Sequence, residues 1–240
     1  MPWDFWLIFL VLGVILPWRG RARLRKLLAT PSVGKMERLA LYASTIAFQW
    51  AMVAVVAWRA WMHGFTAAEL GLVIDGNWPL LLTGLVGGAA LAGLQWLNLR
   101  RMGRLPAASR GMLQALTERI FPQSGLEMFP FFALALTAGI CEEFLYRGFA
   151  IGALLRAGLS VGEAVLISSI LFGLAHLYQG YGGAAGTMLL GGFFGIARIG
   201  YHSLLPVVIW HSAVDLVAGV AAPRYLGQSL KVDTKSQNAA

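Results

Sequence analysis

The chain has 240 residues, 58% of them in the AVILMFWYC set, and its 29 glycines bring the apolar share to about 70%, against about 45–50% for average soluble domains. Charged residues make up 12% and mean hydropathy is +0.68, which excludes disorder, a collagen-like fibre and a soluble enzyme. The net charge of +8 would suit nucleic acid only if the basic residues gathered on one folded face; their placement points to a membrane instead, so no nucleic-acid partner is expected.

Apolar, nearly uncharged stretches run Trp3–Trp18, Leu39–Trp61, Trp78–Leu99, from Met128 onward, Val161–Tyr178, Ala184–Gly200 and Ser203–Ala222. Most approach the roughly 20 residues a membrane helix needs. The fold class predicted is therefore all-α: a polytopic membrane helix bundle of about seven transmembrane helices, six to eight. The first stretch carries Asp4 in its N-terminal flank and its basic cluster after it, the reverse of a signal peptide, and reads as a retained anchor. Between the third and fourth stretches, Met112, Leu113, Leu116 and Ile120 recur at helical spacing in Ser109–Phe121, predicting an amphipathic helix along the inner interface. The tail from Gln228 is polar and reads as mobile. Three regions follow: 1–127, N-terminal transmembrane helices and basic loops; 128–222, a helical core; 223–240, a polar C-terminal tail.

Fifteen of the nineteen basic residues fall in Arg19–Arg38, in Arg100–Arg119 and in the tail from Arg224. With seven spans these segments share one side, which the positive-inside rule makes cytoplasmic. The N-terminus is then outside, the C-terminus inside, the loop around Glu69 and Asp75 outside, and the location a cell (inner) membrane contacted by lipids. Trp3, Trp18, Trp61 and Trp78 stand at span ends, as interfacial anchors do. The glycine pairs Gly84/Gly88, Gly182/Gly186 and Gly191/Gly195 read as close helix packing. The lone Cys141 excludes a disulfide framework and, in an apolar setting, reads as inert.

Ionisable groups at membrane depth cost several kcal/mol unless paired or hydrated, so they are functional candidates by default. Glu142, Glu143 and Arg147 lie together in one apolar run; His176 lies on a later one, His211 and Asp215 on the last. On a helix Glu143 and Arg147 are four apart and pair, which turns Glu142 about 100° away towards another partner. His211 and Asp215 share one face. A turn centred at Leu159 is seventeen residues from both Glu142 and His176, so an antiparallel hairpin brings them to one level, roughly 25 Å from the turn. Water activation in a catalytic site, a structural ion-pair network and an ion or proton pathway all account for such a cluster. Arg59 and Arg198 read as snorkelling or packing residues, Arg198 also as a contact for Glu143 or substrate, and His63 and His202 as interfacial.

Glu142-Glu143-x-x-x-Arg147, then Phe172-x-x-x-His176, then His211-x-x-x-Asp215, in that order on separate spans, resemble the motifs of the CAAX prenyl protease and bacteriocin-processing family. The resemblance covers about Phe129–Ala222. It implies an intramembrane endopeptidase that hydrolyses peptide bonds of membrane-associated proteins or peptides, with a protein or peptide substrate that is lipidated in the CAAX case. By the same resemblance Glu142 activates the hydrolytic water with His176, His211 and Asp215 act on the scissile carbonyl, and Glu143 and Arg147 form a supporting pair. Many relatives end the last motif in Asn; an ionised Asp215 cannot donate to an oxyanion, so it either carries a proton or orients His211. The resemblance admits both a metalloprotease, with zinc or another divalent metal on Glu142, His176, His211 and Asp215, and a metal-free glutamate protease. The alternative class is a non-catalytic membrane scaffold or bacteriocin-immunity protein.

Overall fold

The computed structural model describes residues 1–73 and 78–227, without the side chains of positions 107 and 108. Asp75 and the tail from Gln228 lie outside these. Eight helices follow one another, with no strand among the described residues: α1 (Trp3–Ala29), α2 (Lys35–Met62), α3 (Trp78–Met102), α4 (Ala107–Arg119), α5 (Gly125–Arg156), α6 (Val161–Ala175), α7 (Gly180–Tyr201) and α8 (Leu205–Leu226). Among the described residues six helices are apolar and long enough to span: α1, α2, α3, α5 and α8, and α7 with the 3₁₀ turn Leu177–Gln179 before it. Their outward faces are apolar, with Trp3, Trp18, Trp61 and Trp78 all exposed, as a lipid-facing surface requires.

The chain thus forms the all-helical, multi-pass bundle expected, with one difference in the hairpin that carries His176. The apolar run Val161–Tyr178 folds as a helix of 15 residues that ends at His176, about 22 Å long and short of a full crossing. Ser160 and Glu163 cap its start reciprocally, and Gly180 at φ 84° turns the chain into α7. Helix α7 lies close against α6 because Gly195 and Gly173 meet Val165 and Met188 where a Cβ would stand within 3.0 Å of either.

Gly84 and Gly88 admit Ile209, so α3 and α8 run side by side with their backbones close. Gly182 and Gly186 have no neighbour where a Cβ would stand. Helix α4 is broken at Gly111, at φ 53°, and seats Leu116 and Thr117 in the interior. Helix α8 continues through Pro223 to Leu226, so the C-terminal region begins inside a helix.

Polar ties close both ends of the bundle. At one end, Arg156 binds Glu69 at 2.5 and 2.9 Å and the carbonyls of His63 and Gly64, while Asp4 binds Arg59 at 2.7 Å and His63 at 3.1 Å. Arg198, read from sequence as snorkelling or packing, is buried and donates to the Glu69 carbonyl. At the other end Arg38 grips Glu127 through two nitrogens, at 2.9 and 3.1 Å, and Tyr42 donates to the Ile120 carbonyl at 2.6 Å. Arg38 is thus one of the basic cluster that faces inward.

Candidate functional site

Helix α5 changes pitch where its charged residues stand. After Glu143 the backbone widens into a π turn over Phe144–Ala150, every residue of which is buried, before resuming as α-helix at Ile151. Such wide turns leave carbonyls offset from the regular ladder, and Ser168 of α6 donates to one of them, at Tyr146, over 2.7 Å.

Glu143 lies at the centre of the polar cluster. Its Oε1 accepts from Arg147 Nη1 at 2.7 Å and from His211 Nδ1 of α8, also at 2.7 Å. Arg147 is fully buried and stacks its guanidinium over Phe172 at 4.0 Å, so the Phe172 ring shields the charge of the preceding helix. Gly191 of α7 leaves room for this group: a Cβ there would stand 3.0 Å from Arg147 Nη2.

Glu142 points away from this pair into a different set of partners. Its Oε1 accepts from Gln49 Nε2 of α2 at 2.8 Å. Its Oε2 is buried without a hydrogen-bond partner, 3.8 Å from His176 Nε2 and 3.9 Å from His211 Nε2. Both imidazoles turn the same nitrogen inward, because the other is taken by an acceptor. His176 Nδ1 lies 2.8 Å from the Phe172 carbonyl, which only accepts, and His211 Nδ1 faces Glu143; each therefore donates from Nδ1 and presents Nε2 to Glu142.

Asp215, one turn beyond His211, is 38% exposed and stands 3.6 Å from His211 Nε2, too far for a hydrogen bond. The carboxylate that orients His211 is Glu143, not Asp215. The structure thus brings Glu142, Glu143, Arg147, His176, His211 and Asp215 into one centre, and adds Gln49 and the phenol of Tyr146, which is buried without a partner. Cys141 is buried beside it. His63 and His202 lie elsewhere, on the Asp4 tie and at the end of α7.

Two cavities meet at the centre. One of about 360 Å³, between α1, α2 and α5, is lined by Arg19, Arg23, Gln49, Glu142 and His176 among others. A larger one of about 840 Å³, towards α3, α4 and α7, reaches His176, His211 and Asp215. Glu142 is therefore approachable along largely apolar walls.

A Glu, two His and an Asp are chemically suited to zinc, whose tetrahedral donors stand about 3.4 Å apart. Here the nearest spacings are 3.6, 3.8 and 3.9 Å, and no three His, Cys, Asp or Glu side chains among the described residues converge closely enough to hold a metal ion. As arranged, the four side chains stand too far apart to close on a metal ion.

An all-helical bundle of spanning helices around buried carboxylates and imidazoles defines a multi-pass membrane protein with a polar centre. Residues 124–217 match the family model described as type II CAAX prenyl endopeptidase Rce1-like, and over that stretch the chain is similar to the CAAX protease family. That similarity points to a membrane protease in general, with a peptide or protein substrate. No curated protein and no solved structure matches the chain.

Proposed function

We propose that the chain is an intramembrane endopeptidase in which Glu142 and His176 activate water. The observation that carries this reading is Glu142 Oε2, buried, unpartnered and faced by the Nε2 atoms of two imidazoles from other helices. A water bound between Oε2 and His176 Nε2 gives up a proton to this pair as its oxygen attacks the scissile carbonyl carbon. The proton then passes to the amine nitrogen as the C–N bond breaks. His211, already donating from Nδ1 to Glu143, serves the oxyanion from Nε2 as the imidazolium, with Glu143 as its counter-charge. Asp215 serves the same oxyanion only when protonated. Glu143 and Arg147 hold His211 in place.

The substrate is a membrane-associated protein or peptide reached from the bilayer or the basic end, and a prenylated CAAX chain is the first to try. The basic end is cytoplasmic in this reading: α6, though short, returns the chain towards it, with Ala175 and Tyr178 against Gly20, so the N-terminus is outside and the C-terminus inside a cell membrane. Cysteines placed at Lys26 and at Gly64 then label from opposite faces; labelling from one face overturns the orientation.

Protein termini are compared by mass spectrometry in cells carrying the wild-type chain, none, or Glu142→Gln at matched levels. Termini present only with the wild type are expected, and Glu142→Gln or His176→Ala removes them while the protein stays folded. Identical profiles with a deletion phenotype still rescued by Glu142→Gln assign the scaffold or immunity class instead. Cleavage retained in chelator supports the metal-free form; loss reversed by zinc assigns a metal to the working enzyme.

A further inference from the structure

Gln49 belongs to α2, outside the residues that match the family and outside every motif above. Its bond to Glu142 Oε1 has an assigned direction. A carboxylate only accepts, so the amide nitrogen must face Glu142 and the amide oxygen must turn away; that oxygen is itself buried without a partner. The contact is therefore made for Glu142, not for the amide's own satisfaction.

The bond divides the work of the two Glu142 oxygens. The terminal torsion of a glutamate is broad and two-fold, so an unanchored carboxylate exchanges its oxygens and swings across the cavity. With Oε1 anchored at 2.8 Å, Oε2 is kept where it faces His176 and His211. Gln49 is in turn well seated. One turn earlier, Thr45 accepts from Arg23 of α1 at 3.2 Å, and the neighbouring Phe48 carries the Arg19 guanidinium at 4.4 Å. These contacts fix the level of α2 against α1, and α2 packs along α5.

We propose that Gln49 is a positioning residue for Glu142: its amide anchors one carboxylate oxygen so that the other is held as the base for the attacking water. The proposal rests on the protease reading, and its test separates the two.

The full chain is purified into phosphatidylethanolamine and phosphatidylglycerol nanodiscs with [13C]glutamate, and the Glu142 carboxylate band is isolated as the infrared difference between wild type and Glu142→Gln. Gln49→Met, of similar length but without a donor, is expected to move that band. On a synthetic peptide spanning a wild-type-only terminus, it lowers kcat about ten- to hundred-fold, the worth of a charge-assisted hydrogen bond, with KM within about two-fold. An unmoved band, or a moved band with unaltered kcat, overturns the proposal alone. Should Gln49→Met fail to fold, Gln49→Glu keeps the shape and donates only while it shares a proton with Glu142. Its pH–rate profile is then cut short on the alkaline side, and a profile superimposable on the wild type overturns the proposal. If the wild type cleaves nothing that Glu142→Gln spares, the protease reading falls and the proposal falls with it.

Discussion

Glu143 Oε1 takes two donors from two directions, Arg147 from its own helix and His211 from α8, both at 2.7 Å. That single oxygen ties the arginine charge, which has no exposure, to the imidazole of the candidate site. Removing one partner of a buried pair leaves an uncompensated charge, typically at about 3–5 kcal/mol. Arg147→Met is accordingly expected to destabilise the protein by about that amount in equilibrium unfolding from mixed micelles, and adding Glu143→Gln should recover part of it. A conservative Arg147→Lys should fall between, because lysine lacks the planar group that lies over Phe172. The four-residue spacing of Glu143 and Arg147 is legible in the chain. The second donor is not, because nothing local relates position 143 to position 211.

Helices α5 and α8 approach closely at Gly139, where a Cβ would lie 2.1 Å from Ser212 Oγ and 3.0 Å from its backbone nitrogen. The hydroxyl can rotate aside, but the backbone cannot, so Gly139→Ala must push α8 outward at the residue beside His211. Overpacking of this kind costs about 1–3 kcal/mol. We expect Gly139→Ala to lower the melting temperature and, by stretching the His211–Glu143 bond, to lower kcat more than it raises KM. A control at Gly182, where no atom lies within reach of a Cβ, should be neutral as Gly182→Ala. The level of Glu142 with His176 follows from residue arithmetic about the 158–160 turn, with seventeen residues in each arm, and the π turn of α5 leaves the two side chains 3.8 Å apart. The early end of α6 does not follow from hydropathy, since Leu177 is as apolar as the residues before His176. It depends on the left-handed Gly180 and on the shape of the α7 face.

The end of the bundle farthest from the candidate site is held by the loop from His63 to Val73, bound through Arg156, Arg198, Ser203 and the Leu204 amide. Hydrogen bonding from Arg156 draws the Glu69 carboxyl from its ordinary 4.5 down to about 2. A carboxyl whose folded value is lowered contributes stability that is fully present above the unfolded value and is lost as pH falls towards the folded one. The wild-type melting temperature should therefore decline more steeply than that of Glu69→Gln between pH 4.5 and about 2, and the two should run parallel above it. Parallel curves throughout would remove Arg156–Glu69 from the account. At the opposite end the Arg38–Glu127 pair is buried and bidentate, so Arg38→Leu is expected to cost more than loss of any exposed arginine of the same basic cluster.

Composition and hydropathy were enough for the class, since a chain this apolar must satisfy its backbone within helices once it leaves water. Spacing alone was enough for Glu143 with Arg147 and for the shared level of Glu142 and His176, because both contacts tolerate the π turn that widens α5 after Glu143. Which oxygen meets which nitrogen is another matter. Gln49 on Glu142, Glu143 rather than Asp215 on His211, and Arg147 under Phe172 join residues 25 to 93 positions apart or set one carboxylate against another, and they arise only where α2, α5, α6 and α8 close around one point. A lone glutamine in an apolar span has no pattern that names its partner; its role comes from the packing that brings α2 against α5.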